Sequence, residues 1–140
     1  MTTVVWRDGV LAADSRCMAS GSIQPGNMTK IWRVKQRLVS GTGDTHRIQM
    51  FLRWVQKGAT GKTPEMGDDS NGILIEPNGV VREFEGVGEI SSGDAPFYAW
   101  GSGMPAALAA LYMGATAERA VEIAILVDPR SGGATQSLRL

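Results

Sequence analysis

Residue two of this chain is a threonine, directly behind an initiator methionine. A threonine at a free amino end carries two reactive groups on one backbone unit. Its hydroxyl is a nucleophile, and its α-amine, which titrates near ~7.7–8.0, is a base present in useful amounts at neutral pH. Residue 2 is small, so removal of Met1 is expected to expose Thr2. Met-Thr is a common beginning, however, and alone it carries little weight. The other chemistries are poorly stocked. Cys17 is the only cysteine and His46 the only histidine. A Cys17–His46 couple is a remote option, and Cys17 reads better as a half-buried strand-end residue. His46 opens an amphipathic helix and suits a solvent-facing position. A zinc site would need several further carboxylates in a cluster that the sequence lacks. Neither a phosphate-binding Gly-Lys-Ser/Thr loop nor a Gly-x-Ser-x-Gly elbow is present.

The elements that must position Thr2 begin almost at once. Thr3–Trp6 and Val10–Ala13 are apolar runs joined by Arg7-Asp8-Gly9, and Asp-Gly between such runs signals a tight hairpin. The chain therefore enters a sheet at its amino end, where most chains fray. Residues 17–28, rich in Gly, Ser, Asn and Pro, read as a loop. Lys30–Val34 and Arg37–Ser40 read as a second pair of strands, and Gly41–Asp44 as a turn. Over 46–57, Ile48, Phe51, Leu52 and Val55 form the stripe of an amphipathic helix. Residues 58–71 read as a flexible connection. Ile73–Ile75 and Val80–Phe84 flank a hairpin turn, and Phe97–Trp100 is a short strand running into Gly101-Ser102-Gly103. Pro105–Met113 is an Ala/Leu helix. A further helix starts behind Thr116, buries Ala120, Val121, Ala124 and Ile125, and stops at Asp128-Pro129. Gly133–Leu140 returns as a final strand. Hairpins without regular βαβ alternation indicate an α+β fold of antiparallel sheets with helices packed outside, in one domain over 1–140.

Composition narrows the function. The 140 residues include 14 basic and 14 acidic ones, with the arginines scattered, so no field draws the chain to nucleic acid or an anionic membrane. With one cysteine no intrachain disulfide forms. No signal peptide or apolar run of membrane-spanning length is present, which points to the cytoplasm. No cofactor is called for.

Thr2-Thr3-Val4-Val5 followed by Gly9-Val-Leu-Ala-Ala-Asp-Ser-Arg16 resembles the opening of proteasome β subunits and of HslV, N-terminal-nucleophile (Ntn) hydrolases. Lys30 follows Asp14 at the family's interval of sixteen residues. Gly101-Ser102-Gly103 matches the family's Gly-Ser-Gly before a helix, and Asp128-Pro-Arg-Ser131-Gly-Gly133 its Asp-x-x-Ser-Gly-Gly ending. These elements occur in order along nearly the whole chain.

The resemblance implies a four-layer αββα Ntn-hydrolase sandwich and a threonine-type endopeptidase, a shortened bacterial or phage-like member. It implies that Thr2 attacks and that Lys30, charged and oriented by Asp14, eases ionisation of the hydroxyl. Ser131 and Asp128 are implied to position the amine, Ser102 to hydrogen-bond near it, and Arg16 to brace the site. The oxyanion donor falls to the amide of Gly43 or of Asp44. The chain departs from the family in a shorter first hairpin and reduced helical layers. An oligomeric ring with peptide or unfolded-protein substrates is implied, with an AAA+ unfoldase as a partner against which the thinned helices weigh. A small-molecule amidase of the Ntn group and a non-catalytic ring subunit are the alternatives.

Overall fold

A computed structural model describes residues 2–140, so the expected removal of Met1 lies outside the described residues. In chain order the elements are β1 (Thr3–Arg7), β2 (Val10–Ala13), β3 (Met18–Ala19), β4 (Ser22–Ile23), β5 (Ile31–Val34), β6 (Arg37–Thr42), α1 (Thr45–Gln56), β7 (Gly67–Ile75), β8 (Val81–Gly86), β9 (Gly88–Ile90), β10 (Phe97–Gly101), α2 (Met104–Tyr112), α3 (Ala117–Val127) and β11 (Gln136–Arg139). The architecture is α+β with antiparallel pairing. The chain divides into two compact units, one running through Ile31 and resuming at Ala95–Arg139, the other spanning Trp32–Asp94.

The first unit holds a four-stranded sheet in the order β10-β1-β2-β11. Asp8 and Gly9 both adopt positive φ, 50° and 77°, the conformation that two-residue hairpins require. The turn sets the register, pairing Val4 with Ala13 and Arg7 with Val10. One face of the sheet, carrying Val5, Val10, Ala12 and Ala99, packs on Ala107 and Leu111 of α2 and Ala120, Val121 and Ala124 of α3. The many alanines let helix and sheet approach closely. Thr116 caps α3 by accepting from the Arg119 N–H at 3.1 Å. The Arg7 guanidinium donates to the carbonyls of Leu111 and Ala115, tying the α2–α3 connection to β1.

The second unit is a five-stranded sheet, β5-β6-β7-β8-β9, covered by α1. Phe51 and Val55 of the expected stripe are buried with Val39, Leu74 and Phe84. Phe51 lies flat against Gly72 of β7, where a Cβ would meet the ring at 2.7–2.8 Å.

Three segments differ from the sequence reading. The loop over 17–28 contains the small hairpin β3–β4, turned by Ser20 and Gly21 at positive φ. The connection over 58–71 ends in strand: β7 begins at Gly67, anchored by fully buried Met66, with a register shift between Gly67 and Asn71. Asp68-Asp69-Ser70-Asn71 has no apolar alternation to betray a strand, and the irregular pairing is the reason. β9, three residues long, was not expected at all.

Candidate active site

The β1–β2 hairpin delivers Asp14 alongside Thr3. The Asp14 N–H donates to the Thr3 carbonyl at 3.2 Å, and the Thr3 N–H donates to Asp14 Oδ1 at 3.0 Å. The Asp14 carboxylate is fully buried and also accepts from the backbone N–H groups of Arg16 (3.2 Å) and Gly132 (3.1 Å) at Oδ2. Lys30 Nζ lies 3.0 and 3.1 Å from the two oxygens, with its own side chain only 7 % exposed. Burial pushes the Lys30 ammonium below the ordinary lysine value, against the opposing attraction and hydrogen bond of Asp14. Thr2 is itself buried, and its carbonyl carbon is bonded to the nitrogen that donates to Asp14. One peptide unit therefore separates Thr2 from the Asp14–Lys30 pair.

A second cluster forms where α3 ends. Asp128 closes the helix, and Ser131 follows three residues later on the turn that Pro129 enforces. Ser131 Oγ donates to Asp128 Oδ2 at 2.6 Å, and Ser102 Oγ donates to the same oxygen at 2.7 Å. Burial works to raise the Asp128 carboxyl, but these bonds and the Arg130 N–H outweigh it and hold the group below its ordinary range. Ser131 has one proton and gives it to the carboxylate. The Thr3 hydroxyl, 2.7 Å from Ser131 Oγ, must then be the donor in that pair.

Thr3 thus joins the two clusters, through its N–H to Asp14 and its hydroxyl to Ser131. Gly132 joins them again from the other side. Asp14, Lys30, Ser102, Asp128 and Ser131 are brought into one hydrogen-bonded assembly, with Thr2 covalently adjacent. Arg16 donates from Nη1 to the Pro129 carbonyl at 2.9 Å and lies over Gly132, where a Cβ would collide with the guanidinium. It spans the turn between Asp128 and Ser131.

Gly43 and Asp44 sit in the other compact unit, at the turn from β6 into α1. The Asp44 N–H donates to Ser70 Oγ at 2.8 Å, and its carboxylate accepts from the Arg47 N–H as the helix cap. Gly43 has φ +103°, with Asp69 and Ser70 occupying the space that a Cβ would need. His46 is exposed on α1 and Cys17 is a partly buried free thiol. Among the described residues no group of three or more His, Cys, Asp or Glu is placed to hold a metal ion. No helix among them is long and apolar enough to cross a membrane.

Two members escaped the sequence reading. Thr3 looks like one more strand residue, with the Thr-Thr doublet as its only signal. Gln136 of β11 donates to the Asp14 and Met28 carbonyls and accepts from the Lys30 N–H, contacts of sequence separation beyond any local pattern.

No family model matches the sequence, and no curated protein matches it significantly. Solved structures do. BPH from Thiobacillus denitrificans, a β-proteasome homologue, aligns in its complex with epoxomicin at a TM-score of 0.68 and 21% identity, over 99% of this chain and 97% of that one. A second structure of Thiobacillus denitrificans BPH aligns at 0.67 and 20%, over 99% and 96%. Eukaryotic HslV from Trypanosoma brucei aligns at 0.69 and 16%, over the full length of both chains. Across its whole length, the chain has the proteasome-like Ntn-hydrolase fold of HslV and BPH.

Proposed function

We propose that this protein is a threonine-type peptidase that hydrolyses peptide bonds with the Thr2 hydroxyl once Met1 has been removed. The observation that carries this reading is the buried Asp14–Lys30 ion pair, one peptide unit from Thr2. In the proposed reaction the Thr2 α-amine takes the hydroxyl proton as Oγ1 attacks the scissile carbonyl. The Lys30 ammonium lowers the cost of the developing alkoxide. The tetrahedral intermediate collapses to an ester on Thr2, and the leaving amine departs with the proton from the α-amine. Water, deprotonated by the same amine, then cleaves the ester and frees the threonine.

The remaining residues hold this geometry. Ser131 and Asp128, with Ser102 on the same carboxylate oxygen, position the terminal amine, and Arg16 braces their turn. For the oxyanion donor, the Asp44 N–H is already committed to Ser70, so the Gly43 amide is the one proposed of the two. We further propose a single four-layer αββα domain, working in the cytoplasm as a self-compartmentalising homo-oligomer on peptide or unfolded-protein substrates. The Thiobacillus BPH is complexed with epoxomicin, and the same inhibitor is proposed to react at Thr2 here.

Turnover of fluorogenic peptides beside a panel of acyl amides tests the reading. Wild type is expected to cleave peptides, Thr2→Ser to retain part of the rate, and Thr2→Ala to lose it. Peptide hydrolysis by Thr2→Ala at the wild-type rate would end the proposal, and cleavage of acyl amides alone would move it to an amidase.

A further inference from the structure

Asp14 and Lys30 belong to segments that no shared sheet ladder holds together. Asp14 follows β2, whereas Lys30 leads into β5, and β2 and β5 lie in different sheets. Their backbones meet in one bond, from the Met28 N–H to the Ser15 carbonyl at 2.8 Å, and through the side chain of Gln136, which pairs with Ala13 at the start of β11. Its Nε2 donates to the Asp14 carbonyl at 3.0 Å and to the Met28 carbonyl at 2.9 Å, while Oε1 accepts from the Lys30 N–H at 3.2 Å. Both amide protons and the carbonyl oxygen are used. A primary amide is the only side-chain group that offers two donors and an acceptor in this fork; a carboxylate would face two carbonyls with no proton to give.

We propose that Gln136 is a positioning residue for the reaction at Thr2: its amide stands in for the missing ladder and keeps the Lys30 ammonium aligned with Asp14. This inference rests on the reading of Thr2 as the nucleophile. An ammonium misplaced by about 1 Å would still belong to a folded protein but would serve the alkoxide poorly.

Gln136→Met keeps an unbranched side chain of similar length and removes all three hydrogen bonds. Gln136→Glu keeps the acceptor and removes both donors. Epoxomicin labelling separates the steps: in both variants the maximal rate of adduct formation at Thr2 is expected to fall at least about tenfold, with the inhibitor concentration at half-maximal rate unchanged within twofold. Lys30, faced by Asp14, Cys17 and Arg16, is followed in parallel by NMR titration of its side chain. In Gln136→Met, which adds no charge, its midpoint is expected to leave the wild-type value, because burial holds it down and Asp14 holds it up. Folded variants with wild-type labelling and an unmoved Lys30 midpoint would overturn the inference. If wild type itself is not labelled, the peptidase reading fails separately; an unmoved midpoint in Gln136→Met then overturns the inference too.

Discussion

The carboxylate of Asp14 accepts from three backbone N–H groups and from the Lys30 ammonium while wholly out of water. Removing it would take the counter-charge from a buried cation and the acceptor from three donors, whereas removing the cation leaves a carboxylate still held by those donors. Asp14→Ala is therefore expected to cost about 3–5 kcal/mol and Lys30→Met about 1.5–3 kcal/mol, read as urea unfolding midpoints. Turnover in folded Lys30→Met should drop on the order of 10²–10³-fold. Asp128 supplies a pH signature. Its carboxyl is held low in the fold, so its stabilisation is complete above the unfolded value, roughly 3.9, and disappears as pH falls through the folded one. The stability gap between wild type and Asp128→Asn should shrink on acidification from about pH 5 to pH 2. Asp14, Ser102, Asp128 and Ser131 could be picked from the sequence because each sits in a short motif, and Lys30 by its interval of sixteen residues from Asp14. Thr3 and Gln136 could not, since the partner of the Thr3 hydroxyl and all the partners of Gln136 lie more than a hundred residues away along the chain.

At the scale of elements, the start of α2 is locked to β1. Gly103 has φ −85°, which any residue adopts, so no backbone reason calls for glycine. The reason is steric: a Cβ there would run into the Thr3 hydroxyl and meet the Ala124 methyl at 3.1 Å. Gly103→Ala is expected to destabilise by about 1–3 kcal/mol. Placed on Thr3→Ala, which deletes the colliding oxygen, it should cost at least about 0.5 kcal/mol less; strict additivity of the two changes in thermal or urea unfolding would contradict the contact. The hairpin β1–β2 and the three helices were legible because Asp-Gly, Thr116 and the apolar stripes are local signals. The first half of β7 was not, because its polar residues gain strand structure only from pairing with β8 across a register shift.

At the scale of the molecule, ordered motifs pointed to a fold that the structural matches bear out, despite identities of 16–21% and the lack of any matching family model. The C-terminal ends of α2 and α3 expose Tyr112, the cap residue Met113, Leu126 and Val127, each at least 67 % accessible. Apolar surface of that kind favours association, and sedimentation is expected to show a multiple of the chain mass. A monomer at micromolar concentration would contradict the proposed compartment. The central claim, a free Thr2 amine and hydroxyl at the buried ion pair, is tested most directly by treating the native protein with epoxomicin and locating the adduct by mass spectrometry. The account predicts a chain that begins at Thr2 and carries the inhibitor on that residue. Turnover by a chain that retains Met1, or an adduct on any other residue, would contradict it.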